Sequence, residues 1–287
     1  IFAAMVLVLI TPILGLLLYW AWGRVDFNKK ERGVLGAAFE NGFAELPANK
    51  PLMDRFAQQH PQDAPYTRSL AAAQYPLYAG TSATYFPIGE AYFDRLVEDL
   101  EKAESFIFIE YFIIGTGQLW DRVHEVLTRK KEQGVEVRIL YDDFGSLFKA
   151  PDNLDAQLRR EGFRAAKFSP AHRFVSSLYL NYRNHQKIVV IDGQVGYTGG
   201  VNLSDEYVNI DSKLGHWKDV GIRLEGSAVR SLSVIFSQMW SIATHNRDGD
   251  HSRYLVEKPV PGAAGYFQPY ADGPYNNPKN PALDLIR

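Results

Sequence analysis

The sequence predicts an α/β domain, a mixed β-sheet flanked by helices, behind an N-terminal membrane span. Two observations carry this. Residues Ile1–Trp22 contain no charge. From about residue 76, short β-rich runs alternate with amphipathic helical stretches, the pattern of a sheet covered on both faces.

The elements follow in order. IFAAMVLVLITPILGLLLYWAW is long enough, at ~1.5 Å rise per residue, for a bilayer core of about 30 Å. Tyr19, Trp20 and Trp22 gather at its end, and Arg24, Lys29, Lys30 and Arg32 follow against Asp26 and Glu31. That asymmetry places everything after Trp22 on the cytoplasmic side of the inner membrane. A signal peptide would carry its positive charge before the apolar stretch and a small-residue cleavage site after it, and neither is visible. A buried core helix rarely runs this long without a polar face. Residues 23–75 read as a juxtamembrane connector broken by Pro47, Pro51, Pro61 and Pro65, with a short helix around Arg32–Glu45. Residues 76–255 form the regular unit. Its strands are expected at Ala83–Phe86, Phe106–Phe112, Val135–Tyr141, Phe163–Phe168, Ile188–Ile191, Val195–Thr198 and Val220–Leu224. Its helices are expected at Gly89–Ala103, Leu119–Glu132, Leu154–Arg160 and Ala228–Ala243. Residues 256–287, rich in Pro, Gly and Tyr, read as a linker and the start of a second unit. The first residue, Ile1, reads as a start inside a longer chain.

Composition narrows the function. The net charge of −2 lacks the basic signature of a nucleic-acid binder, and with no cysteine there is no thiol catalysis or thiolate-bound zinc. Chemistry concentrates in Asn184–Asn202, NHQKIVVIDGQVGYTGGVN. Its six fixed positions, H-x-K-x4-D-x6-G-G-x-N, would match by chance on the order of once in 10⁸ starting points. On a strand from Gln186 to Ile191, His185 and Lys187 point to one side. A neutral imidazole attacks phosphorus while the neighbouring ammonium offsets charge on the non-bridging oxygens. Asn202, past the Gly199-Gly200 turn, is placed to donate to the same oxygens. Asp192, in an Asp-Gly turn at the strand end, reads as structural.

This stretch resembles the HKD motif of the phospholipase D superfamily. NYRNHQKIVVIDG, GGVNLSDEY, GHWKDVGIRLEG and YDDFGS, with the apolar anchor, resemble the landmarks of bacterial-type cardiolipin synthases. The resemblance implies a phospholipase D-like fold and a catalytic set of His185, Lys187 and Asp192, without metal or cofactor. It implies a phosphatidyl-histidine at His185, from which a second phosphatidylglycerol releases cardiolipin. Asp219 is the implied partner that orients the imidazole, and Glu110 a more distant support. Enzymes of this kind join two HKD motifs across one site. Only one is present here, because His216-x-Lys218 is followed by Arg223 where Asp is needed. A second unit in the same chain or a homodimer partner would supply the other. The expected partners are therefore the membrane and an anionic phospholipid, not nucleic acid. Hydrolysis of the phosphodiester, as by a phospholipase or nuclease, and a non-catalytic membrane scaffold are the competing readings. The cations from Lys149 to Lys187 either attract anionic headgroups or form a scattered solvated face.

Overall fold

The computed structural model describes residues 11–13, 16, 29–46, 48–169, 183–211, 213, 215–246 and 251–272. The stretch Ile1–Trp22 lies almost wholly outside them. Among the described residues, no helix is long and apolar enough to cross a membrane.

Helices α1 (Lys29–Ala44), α2 (Lys50–Gln59) and α3 (Ala64–Ala72) precede strand β1 (Thr81–Phe86) and helix α4 (Gly89–Leu100). Then come β2 (Phe106–Tyr111), α5 (Gln118–Glu132), β3 (Glu136–Asp142), α6 (Leu154–Arg160) and β4 (Arg164–Phe168). Strands β5 (Ile188–Ile191), β6 (Val195–Gly199) and β7 (Gly221–Gly226) lead into the long helix α7 (Val229–Thr244). The sheet has seven strands in the order β1-β7-β6-β5-β2-β3-β4. Strands β2, β3 and β4 are parallel, and the remaining pairs antiparallel.

Side-chain alternation divides the core. Ile107, Ile109, Val189 and Ile191 face the layer of α4, α5 and α6, while Phe106, Phe108, Ile188 and Val190 face α7, α1 and α3. The stacked rings of Phe108 and Phe236, 4.4 Å between centroids, lock α7 to the sheet. The Thr81 hydroxyl accepts from Ala228 N at 2.9 Å just before that helix begins.

The regular elements lie within a few residues of their expected positions. The flanks differ. Two further helices occupy the expected connector, because Pro51 and Pro65 sit in first turns, where a missing N–H costs nothing. The expected linker is docked in part: Phe267 forms a β-bridge with Tyr78, and Gln268 donates to the carbonyls of Thr67 and Tyr75.

Candidate active site

The topology brings the loops 112–117, 143–153, 183–187 and 200–220 to one end of the sheet. Pairing of β2 with β5 stops at Glu110 and Ile188, so residues 183–187 run beyond the ladder as irregular backbone. The expected strand from Gln186 thus begins at Ile188, yet His185 and Lys187 still meet.

Lys187 Nζ lies 3.2 Å from His185 Nδ1 and donates to the His185 carbonyl at 2.7 Å. The imidazole is exposed and rests on the Phe112 ring at 4.6 Å, whereas Lys187 is only 4% exposed. Burial, opposed by the nearby Asp219 carboxylate, brings the Lys187 ammonium down to about 8. Burial and then the Lys187 charge lower His185 as well, which favours the neutral, nucleophilic ring.

The other expected residues divide. Asn202 is buried: Oδ1 accepts from Ile113 N at 3.0 Å, and Nδ2 donates to the Tyr207 hydroxyl at 2.7 Å. One of its two amide hydrogens is therefore engaged in holding the loops together. Asp219 makes no hydrogen bond to His185. Its Oδ1 accepts from Val220 N at 2.8 Å, and its charge acts on Lys187. The two motif glycines allow this close approach. A Cβ at Gly200 would come within 2.0 Å of Asp219 Oδ1, and Gly199 has φ 155° with its Cβ position 2.5 Å from the Val220 carbonyl.

Asp192 is corrected. It lies at the opposite end of β5, and its carboxylate accepts from Glu104 N, Ser105 N and Phe106 N, each at 2.8 Å. It secures the entry to β2 and cannot reach the imidazole. Asp192→Ala is expected to lower unfolding free energy by about 1.5–3 kcal/mol and leave kcat within threefold. Denaturant unfolding and turnover measured on the same sample check this, and a hundredfold loss of kcat in folded protein would return Asp192 to the site.

Residues outside the motif complete the frame. Asn209, in the left-handed region at φ 56°, exchanges hydrogen bonds with the backbone of Trp217 at 2.6 and 3.0 Å and so shapes the loop that delivers Asp219. Asp142 is fully buried and accepts from Phe144 N, Gly145 N and Asn184 N. Glu110 is also fully buried, behind the loop on the α7 side. The hydrogen bond from Asn184 to Asp142 joins residues 42 positions apart, so its partner is not legible in the sequence, although YDDFGS and Glu110 both belong to the resemblance. Among the described residues of the basic stretch, Lys149 pairs with Glu206, Arg159 with Asp155, Lys167 with Asp143 and Arg183 with Asp142.

The sheet thus presents an exposed imidazole beside a buried ammonium, on the loop entering a central strand. The model of the family described as "Cardiolipin synthase, PLD-like domain" matches residues 96–240, about half of the chain. The chain is 33% identical over 263 residues to the cardiolipin synthase of Oceanobacillus iheyensis, covering 85% of this chain and 52% of that protein. It is 34% identical to that of Geobacillus kaustophilus, covering 82% and 47%. Among solved structures, phosphatidylserine synthase of Haemophilus influenzae matches 60% of this chain and 39% of its own, at 14% identity and a TM-score of 0.44. The chain belongs to the cardiolipin synthase family of phospholipase D-like proteins, and it spans about half the length of the curated relatives it matches.

Proposed function

We propose that this domain transfers a phosphatidyl group, with phosphatidylglycerol as donor and a second phosphatidylglycerol as acceptor, so that cardiolipin forms and glycerol leaves. The observation that carries the reading is the pairing of an exposed imidazole with a buried ammonium 3.2 Å away. A ring nitrogen of His185 attacks phosphorus and the bond to the glycerol oxygen breaks, leaving a phosphatidyl-histidine. The acceptor hydroxyl then displaces the imidazole, and its proton passes to the group that protonated the leaving glycerol oxygen in the first step. Lys187 holds charge on the non-bridging oxygens in both steps. An ammonium only donates, so with Lys187 at Nδ1 the proton of the neutral ring sits on Nε2. An incoming anionic phosphate draws the ammonium away and allows Nδ1 to carry the proton instead, which bares the outward Nε2. Asp219, beside Lys187, is the candidate to receive that Nδ1–H.

The leaving glycerol oxygen needs a proton donor. We assign it to a second HKD motif, in a further phospholipase D-like unit or in a second copy of the chain. A lipid substrate also suits the rim of the site. Phe144 and Phe148 on the loop after β3, Ile210 and Val220 on the loop before β7, and Ile88 after β1 are large apolar side chains exposed at this end of the sheet. The anchor Ile1–Trp22 would hold the domain at the membrane, on the cytoplasmic side.

Hydrolysis is the second reading, because water would resolve the same intermediate. The full-length gene product, incubated with phosphatidylglycerol vesicles and analysed by mass spectrometry, is expected to yield cardiolipin and glycerol. Phosphatidic acid as the main product would replace transfer by hydrolysis.

A further inference from the structure

The backbone that carries His185 lies outside the sheet ladder, so something other than strand pairing must hold the imidazole in place. Asn184 meets that need on both sides of the histidine. Its N–H donates to Asp142 Oδ2 at 2.9 Å, and its Oδ1 accepts from Gln186 N at 3.1 Å. Its Nδ2 donates to Glu110 Oε1 at 2.6 Å. Asn184 is buried, and Asp142 and Glu110 are fully buried. Of the two anchors, Asp142 is compensated: three backbone N–H groups reach it, and Arg183 Nη1 lies 3.4 Å away.

Glu110 is different. It is the polar member of the run FIFIEY, where alternation places it with Phe106 and Phe108 on the α7 face. Its Oε1 meets Asn184, and its Oε2 is buried with no hydrogen-bond partner among the described residues. A carboxyl group at this place adds nothing to the apolar core, and its desolvation is costly. What it adds is a hold on the residue before His185. We infer that Glu110 and Asn184 are positioning residues for His185, a buried side-chain clamp that fixes the loop backbone on either side of the nucleophile. Burial raises the Glu110 carboxyl to about 8, so near pH 7 it is mostly protonated and sets no buried negative charge behind the site. In that form it resembles glutamine.

The role rests on His185 as the nucleophile, and a pair of substitutions at Glu110 tests it. Glu110→Leu removes the acceptor of the Asn184 Nδ2 donor and leaves the contacts of Asn184 with Asp142 and Gln186 in place. Glu110→Gln keeps an acceptor oxygen at the same place. The full-length protein in detergent is expected to lose kcat by roughly 10–100-fold in Glu110→Leu, with KM for phosphatidylglycerol within threefold. Glu110→Gln is expected to retain at least a third of wild-type kcat. In parallel, the His185 imidazole is titrated by NMR on histidine-labelled protein, its signal assigned by its loss in His185→Ala. The titration is expected to move up toward the ordinary imidazole value in Glu110→Leu, as the ring leaves Lys187, and to stay in place in Glu110→Gln. An unmoved titration in Glu110→Leu, or a Glu110→Gln variant no better than Glu110→Leu, overturns the clamp. If the wild-type protein transfers no phosphatidyl group at all, the proposed function fails while the titration still decides the clamp.

Discussion

Replacing His185 by alanine is expected to lower phosphatidyl transfer by at least about 10⁴-fold, the scale on which an enzyme loses its nucleophile. The ring is exposed and rests on the Phe112 ring, so its removal leaves no cavity in the core. Folding is therefore expected to match wild type. The comparison is made with phosphatidylglycerol radiolabelled at phosphorus, which also traps the covalent adduct in wild type under a denaturing quench at neutral pH, where the phosphorus–nitrogen bond survives. Activity within tenfold of wild type, or label retained on the alanine variant, would remove His185 from the chemistry.

Lys187→Met is expected to cost about 10²–10³-fold in kcat, as when one donor to a developing oxyanion is lost. Methionine keeps the apolar stem in its buried slot and deletes only the charge. The buried ammonium also predicts a pH limb. With Lys187 at about 8, the cation is present below that pH and lost above it, so kcat/KM falls as pH rises through about 8. Asp219 favours the charged form, and Asp219→Asn is expected to move this limb to lower pH. Lys187→Arg, whose guanidinium does not deprotonate, should retain some activity and lose the limb. A limb that persists unchanged in Lys187→Arg belongs to another group.

The regular elements were legible because strands and helices here carry undisguised periodicity. FIFIEY and IVVI are nearly continuous apolar runs, as strands buried on both faces require. The motif spacing likewise foretold that His185 and Lys187 would meet. The Asp-Gly turn marked Asp192 as structural, and only the resemblance drew it into the catalytic set, because a shared motif says which residues recur together, not which end of a strand each one occupies. The connector was misread for a related reason. Proline marks the first turn of a helix as readily as a break, and only the packing of Leu52 and Phe56 beside Leu77 distinguishes the two. The hold of Glu110 on Asn184 spans 74 positions and appears only once β2 and β5 are paired.

The pairing of β1 with β7 has a consequence for biosynthesis. Thr81 faces Gly226, which lies 145 positions further along the chain. At the usual ~5–20 residues per second, β1 emerges from the ribosome roughly 7–30 s before the strand it pairs with exists. An unpaired strand with free N–H and C=O groups is a template for misassembly. The short, half-polar β1, TSATYF, is a poor template, since its three central side chains are exposed even in the folded sheet. A nascent chain can therefore wait with this edge open, and the sheet is completed only when the loop that ends in Asp219 and the strand after it have been made. The site and the last edge of the sheet thus come into being together.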